Sequence, residues 1–173
     1  PYGISKKKVE KIQKIGQDCF KLLPFKKLKI NLIQTFTNNT KLHTLDKTKF
    51  ITEKRLQKCG IEKIFESRVF HDKSNLTKEI KNCLNRNSEL ILIFGDKAIM
   101  DITDIIPSSI IENKGIILRF GMPVEPGNLI LISTILNEKK QKLYIIGMPS
   151  CARSPKENGA DWILWRIISG IEI

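Results

Sequence analysis

Aromatic residues are scarce in this 173-residue chain: 7% in all, with two Trp and two Tyr. A surface that stacks nucleic-acid bases needs rings interleaved with its basic residues, and no basic stretch here has them. Acidic residues are short as well, 18 against 30 Lys and Arg, which leaves a formal net charge of +12. The excess is mostly Lys and is widely spread, with dense clusters only at Lys6–Lys7–Lys8 and Lys26–Lys27–Lys29. Arg, the better residue for bidentate phosphate and base contacts, is the minority. The pattern reads as solvated charge or attraction for small anions, so nucleic acid is not an expected partner. A basic nucleic-acid-binding or scaffold module stays open as an alternative, on the charge alone.

Cysteine is sparse too. Cys19, Cys59, Cys83 and Cys151 form no C-x-x-C pair, and His43 and His71 are the only histidines, so no metal site is expected. Reduced thiols point to a cytoplasmic protein. Long apolar runs are missing. The stretch Asn128–Leu136 falls short of the roughly 18 residues of a membrane span and is interrupted by Ser133 and Thr134. No membrane partner and no signal peptide are expected. The chain starts at Pro1 rather than Met, which reads as a fragment, a processed chain or a trimmed one. G-x-G-x-x-G and the P-loop pattern are both absent, which disfavours dinucleotide binding and ordinary nucleotide hydrolysis.

What remains is ordinary globular composition, 41% hydrophobic and 28% charged. Val9, Ile12, Ile15, Cys19, Leu22 and Leu23 fall at helical spacing, which predicts a helix over Ser5–Leu23, capped by Ser5 and stopped by Pro24, packed on the main domain. Then strands and helices alternate. Strands are expected over Leu28–Thr35, Ile64–Phe70, Glu89–Phe94, Gly115–Phe120, Leu129–Leu136 and Leu143–Ile146, with a turn at Asn137–Gln141. Helices are expected over Asp46–Cys59, with Phe50, Ile51, Leu56 and Cys59 buried and Gly60 past its end, and over Ser74–Leu84, Asp104–Glu112 and Glu157–Ile168. The almost wholly apolar ELILIF at Glu89–Phe94 suits the centre of a parallel sheet covered on both faces. Alternation of this kind predicts right-handed crossovers, with a ligand site outside the carboxyl ends of the strands.

Three loops follow strands and should share one rim. In IFGDKAIMDITDIIP, Gly95 allows close backbone approach, and Asp104 is placed to cap a helix whose free N–H groups suit an anion. Asp96 and Asp101 read equally as solvated charges. In GMPVEPGN, Pro126 and Gly127 suit a type II turn before Asn128. In GMPSCARSPKENG, Ser150, Arg153, Ser154 and Lys156 crowd ahead of a helix, a mixture suited to phosphate or carboxylate. Cys151 lacks a nearby His in sequence and reads as an inert thiol, His71–Asp72 as a satisfied loop pair, and Trp162 and Trp165 as packing residues.

Taken together and in this order, these loops resemble the molybdopterin-binding domain family. That family includes molybdopterin molybdotransferases, molybdopterin adenylyltransferases and domains associated with molybdenum-cofactor cytidylyltransferases. LIQT and LDKT look like its first strand and helix start, Asp104 and Pro107 match its Asp-x-x-Pro, and GMPSCARSP corresponds to its Leu-Pro-Gly-Asn-Pro loop. RFGMPVEPGNL with GMPSCARSPKENGADW is closest to the cytidylyltransferase-associated domains. Asp96, Lys97, Ala98 and Ile99 stand where the family carries glycines and threonines, so the resemblance implies ligand binding before catalysis.

The fold so implied is three-layer α/β/α with a mostly parallel central sheet over residues 28–173, and residues 1–27 form an N-terminal helical appendage. The implied function is binding of molybdopterin or the molybdenum cofactor during cofactor biosynthesis or maturation. An active molybdopterin nucleotidyl- or molybdotransferase is the alternative. The implied ligand contacts are Asp72, Gly95, Asp96, Asp104, Pro126, Gly127, Asn128, Ser150, Cys151, Arg153, Ser154 and Lys156, with Mg2+ through Asp72. A fused or separate nucleotidyltransferase domain and a homo-oligomer are the implied partners.

Overall fold

The run Leu90–Phe94 is buried at every position, as a strand must be when helices cover both faces of its sheet. The computed structural model describes residues 3–17, 19–137 and 139–173. Pro1, Tyr2, Asp18 and Glu138 lie outside the described residues, Asp18 within the expected first helix and Glu138 within the expected 137–141 turn.

The elements run α1 (Lys6–Gly16), β1 (Ile30–Phe36), α2 (Leu42–Gln57), β2 (Phe65–Phe70), α3 (Lys73–Asn85), β3 (Leu90–Phe94), α4 (Ile105–Glu112), β4 (Ile116–Phe120), β5 (Leu131–Leu136), β6 (Lys142–Met148) and α5 (Gly159–Ile168), with a short 3-10 turn at Ser150–Arg153. The six strands form one sheet in the order β2-β1-β3-β6-β5-β4. β1, β2, β3 and β6 are parallel, and β5 runs against both β6 and β4. The protein is therefore α/β with a six-stranded, mostly parallel sheet.

Strand period two divides the core into two layers. Ile30, Leu32, Leu90, Leu92 and Phe94 face Leu56 of α2 and Ala160, Leu164 and Ile168 of α5. Ile33, Ile91, Ile93 and Ile145 face Leu76, Ile80 and Cys83 of α3 and Ile106 and Ile110 of α4. Each fully buried Leu or Ile stabilises the fold by about 1.5–3 kcal/mol relative to exposure, so the central strands carry much of the hydrophobic gain.

Several sequence expectations need correction. The first helix stops at Gly16 instead of Leu23, and α1 buries no residue: Ile12 is 58% and Ile15 66% exposed, so its apolar stripe is not packed on the sheet. Ser5 occupies the cap position without a side-chain cap bond. α2 begins at Leu42 rather than Asp46, and its inward face carries Thr48, Thr52 and Arg55 while Phe50 is exposed. Thr48 and Thr52 fit there because their hydroxyls donate to the carbonyls of Thr44 and Thr48. The last helix begins at Gly159, where Asn158 and Asp161 form a reciprocal capping box. Trp162 on this helix is exposed and donates to Glu157 Oε1 at 2.8 Å instead of packing inward.

Candidate functional site

Because β1, β2, β3, β4 and β6 all point the same way, the loops that follow them gather on one rim. The chain leaves β1 through α2 to β2 on one side and returns through α3 to β3 on the other. That reversal opens a crevice between β1 and β3, where open α/β sheets place their ligands. A cleft of about 570 Å³ occupies this place, lined by Thr37, His71, Lys97, Ala98, Ile99, Met100, Asp104, Ile105 and Ile106.

The loop after β3 is tied down on three sides. Asp96 N–H donates to Thr35 Oγ1 at 2.9 Å, and the same hydroxyl pairs with His71 Nδ1 at 2.7 Å. The Asp96 carboxylate accepts from Thr37 Oγ1 at 3.1 Å and from Thr40 Oγ1, binding the loop after β1 to the loop after β3. Gly95 is required by space: a Cβ there would sit 2.5 Å from the carbonyl oxygen of Lys97 and 3.0 Å from Ile106 Cδ1. Asp104 stands at the cap position of α4 but turns back into the loop, accepting from Met100 N–H at 2.7 Å and Asp101 N–H at 3.0 Å. The expected side-chain cap is therefore absent, and Ile105 and Ile106 bring the positive end of α4 to the cleft wall. The Thr103 hydroxyl and N–H hold the Asp101 carboxyl below its ordinary range.

Of the residues singled out from sequence, Asp104 lines this cleft, and Gly95 and Asp96 bound its loop. Asp72 follows His71 and caps α3: its two oxygens accept from Asn75 N–H at 2.8 Å and Asn75 Nδ2 at 2.6 Å, which holds its pKa below the ordinary carboxylate value. Each oxygen of the carboxylate to which the resemblance assigns a Mg2+ contact thus carries one bond of the helix cap. Among the described residues no three His, Cys, Asp or Glu side chains converge to hold a metal ion.

The other expected contacts share the rim but fasten it toward α2 and α5. The Pro126 carbonyl accepts from Gly159 N–H at 3.0 Å. Gly127 has φ +121, and a Cβ there would approach Gly159 N to 2.8 Å, so the positive φ expected of the turn is present and tightly enclosed. Asn128 accepts from Leu129 N–H through its side chain and from Met122 N–H through its carbonyl, both at 2.9 Å. Ser150 is exposed at the start of the 3-10 turn. Burial pushes the Cys151 thiol up, away from the thiolate a nucleophile needs.

Arg153, expected to reach a ligand phosphate, donates instead to Thr48 Oγ1 and to the Gly95 carbonyl at 2.7 Å, with its guanidinium 5.0 Å from the Phe94 ring centre. Burial lowers its pKa from the ordinary guanidinium value and the nearby Asp96 carboxylate opposes that shift.

Sequence reading missed Arg55. It is 6% exposed, pairs with Asp161, and donates to the carbonyls of Ala152 at 2.9 Å, Ser154 at 3.1 Å and Lys156 at 3.2 Å. One guanidinium thus anchors the loop containing Ser154 and Lys156. The available signal was an Arg on the same helical face as Thr48, Ile51 and Thr52. Lys97, Thr37 and His71 were missed as cleft-lining residues because only the loop's path and the β2 ending bring them together.

No helix among the described residues is long and apolar enough to cross a membrane. Compared with protein-family models the chain matches none, and no curated protein matches it.

Proposed function

We propose that the protein binds molybdopterin or the molybdenum cofactor at the rim, during biosynthesis or maturation of that cofactor. The observation that carries this reading is the cleft outside the ends of β1 and β3, with a cation and a helix start set beside apolar walls. Ala98, Ile99, Met100, Ile105 and Ile106 offer flat apolar contact for a fused heterocycle. Lys97 and the start of α4 supply positive potential for the anionic end of the ligand. Thr37 and His71 add polar groups for the ring edges.

Chemistry on the ligand is not required by this arrangement. Asp96 and Asp104 are engaged in loop hydrogen bonds, and the Cys151 thiol is held in its neutral form. The residues hold and orient, and the His71 imidazole, paired through Nδ1 with the Thr35 hydroxyl, is the one group among them suited to move a proton.

Fluorescence titration with molybdopterin tests the reading. A charge-assisted contact to phosphate contributes about 1.5–3 kcal/mol, so Lys97→Ala should weaken binding roughly tenfold or more while the fold is kept. Saturable binding by the wild type, weakened by this variant, supports the site. An unmoved Lys97→Ala titration removes the cleft from the proposal, and absence of wild-type binding removes the ligand. Turnover with Mg2+ and a nucleoside triphosphate, or with molybdate, would replace the binder by a transferase.

A further inference from the structure

The layer of α2 and α5, on the face of the sheet away from α3 and α4, carries a second hollow that shares no residue with the rim cleft. It measures about 170 Å³. Phe50 of α2, Pro155 of the loop after β6 and Trp165 of α5 give it flat apolar walls. The buried Ile51 and the sealed Arg55–Asp161 pair close its inner end. Two rings from a chain poor in aromatics thus line one hollow, and Phe50 is left 58% exposed there.

The charges around it do not balance. Both carboxylates of the hollow are engaged: Asp161 pairs with Arg55, and Glu157 Oε1 accepts from Trp162 Nε1 at 2.8 Å. Lys54 and Lys58 line the same hollow, one helical turn apart and both exposed, and Lys54 Nζ lies 5.6 Å from the Phe50 ring centre. Among the described residues neither lysine is paired with an acid. Like charges at this spacing on a helix repel, and an anion held between them removes the cost.

We propose that this hollow binds a small aromatic carboxylate, a single ring bearing one acid group. A dry cavity of roughly 150 Å³ holds one benzene ring, so the space suits one ring and is too small for the fused heterocycle proposed for the rim. The ring lies among Phe50, Trp165 and Pro155, and aromatic neighbours favour another ring beyond the area it buries. The carboxylate meets Lys54 and Lys58 at the open side. A neutral ring leaves the two lysines repelling one another, and an acid without a ring leaves the apolar walls uncovered.

Benzoate is the probe, titrated into 15N-labelled protein at constant ionic strength so that screening does not change. With two tryptophans the chain gives two indole N–H signals, which Trp162→Phe assigns. The expected result is a saturable shift of the Trp165 signal with a Kd of roughly a millimolar, the scale for so small a ligand. Lys54→Ala with Lys58→Ala should weaken binding roughly fivefold, the scale of two solvent-exposed ion contacts. Two control probes keep the test independent of that variant's folding. Benzyl alcohol, which lacks the charge, and acetate, which lacks the ring, should each bind at least about fivefold more weakly than benzoate. The absence of a saturable shift with benzoate overturns the proposal, as does equal binding by the double variant or by either control. A shift at Lys97 in place of Trp165 would put benzoate in the rim cleft and overturn it too.

Discussion

Arg55 and Asp161 form an ion pair sealed between α2 and α5, each side chain 6% exposed, and the remaining guanidinium donors hold three carbonyls of the loop after β6. The pair joins two elements 106 residues apart in sequence and fixes the path of the chain between β6 and α5.

Removing one partner strands a buried charge. Arg55→Met should cost about 3–5 kcal/mol, as unpaired buried ions do. In a domain of this size that lowers the melting temperature by roughly 6–20 °C. Adding Asp161→Leu should recover part of the loss, because the orphaned carboxylate is gone. A single variant melting within a degree or two of the wild type would show that the pair is energetically idle.

Arg153 is expected to behave as a structural fastener. Each of its bonds to Thr48 and Gly95 is charge-assisted, of a kind worth about 1.5–3 kcal/mol. Arg153→Ala should therefore lower stability in urea denaturation and loosen the Gly95 turn. A variant that loses ligand affinity at unchanged stability would instead return Arg153 to the role its sequence context suggests.

Asp72 sets an acid limb of stability. Its folded pKa lies below the unfolded value of about 4, so its contribution is complete above that pH. It is lost as pH falls through the folded value, since the unfolded chain binds the proton first. Asn also caps helices well, so Asp72→Asn should keep stability near neutrality and flatten this part of the acid limb. Urea midpoints for both proteins between about pH 2 and 6 give the comparison; parallel curves would contradict it.

Thiol reactivity should separate the four cysteines. Cys19 is exposed, whereas burial beside Glu79 raises the Cys83 thiol to about 12, and burial also raises Cys59 and Cys151. Alkylation of the native protein near pH 8 should label Cys19 first and leave Cys83 unmodified until unfolding. Early labelling of Cys83, read by peptide mass, would require an opening of α3.

The strand–helix order was legible because its signals are local. LILIF at Leu90–Phe94 can be buried on both faces only in a central strand, and Leu76, Ile80 and Cys83 repeat at helical spacing. α1 misled for the same reason: Val9, Ile12 and Ile15 make a stripe, but a stripe does not say whether anything covers it. Phe50 was expected inside from its hydrophobicity, yet the face of α2 was decided by Arg55 and two threonines whose polar groups found partners.

What residue order determined by itself was the alternation of strands and helices, the rim on which their loops fall, and the turn at Gly127. Tertiary structure alone decided which rim loops enclose a cleft. The loops after β1, β2 and β3 meet at the reversal beside β1, while those after β4 and β6 are drawn toward Arg55 and α5. The physical reason is that periodicity records which side of an element is apolar, whereas a hollow depends on the crossing order of the strands. A buried guanidinium likewise takes its partners from across the fold, at separations no spacing rule encodes.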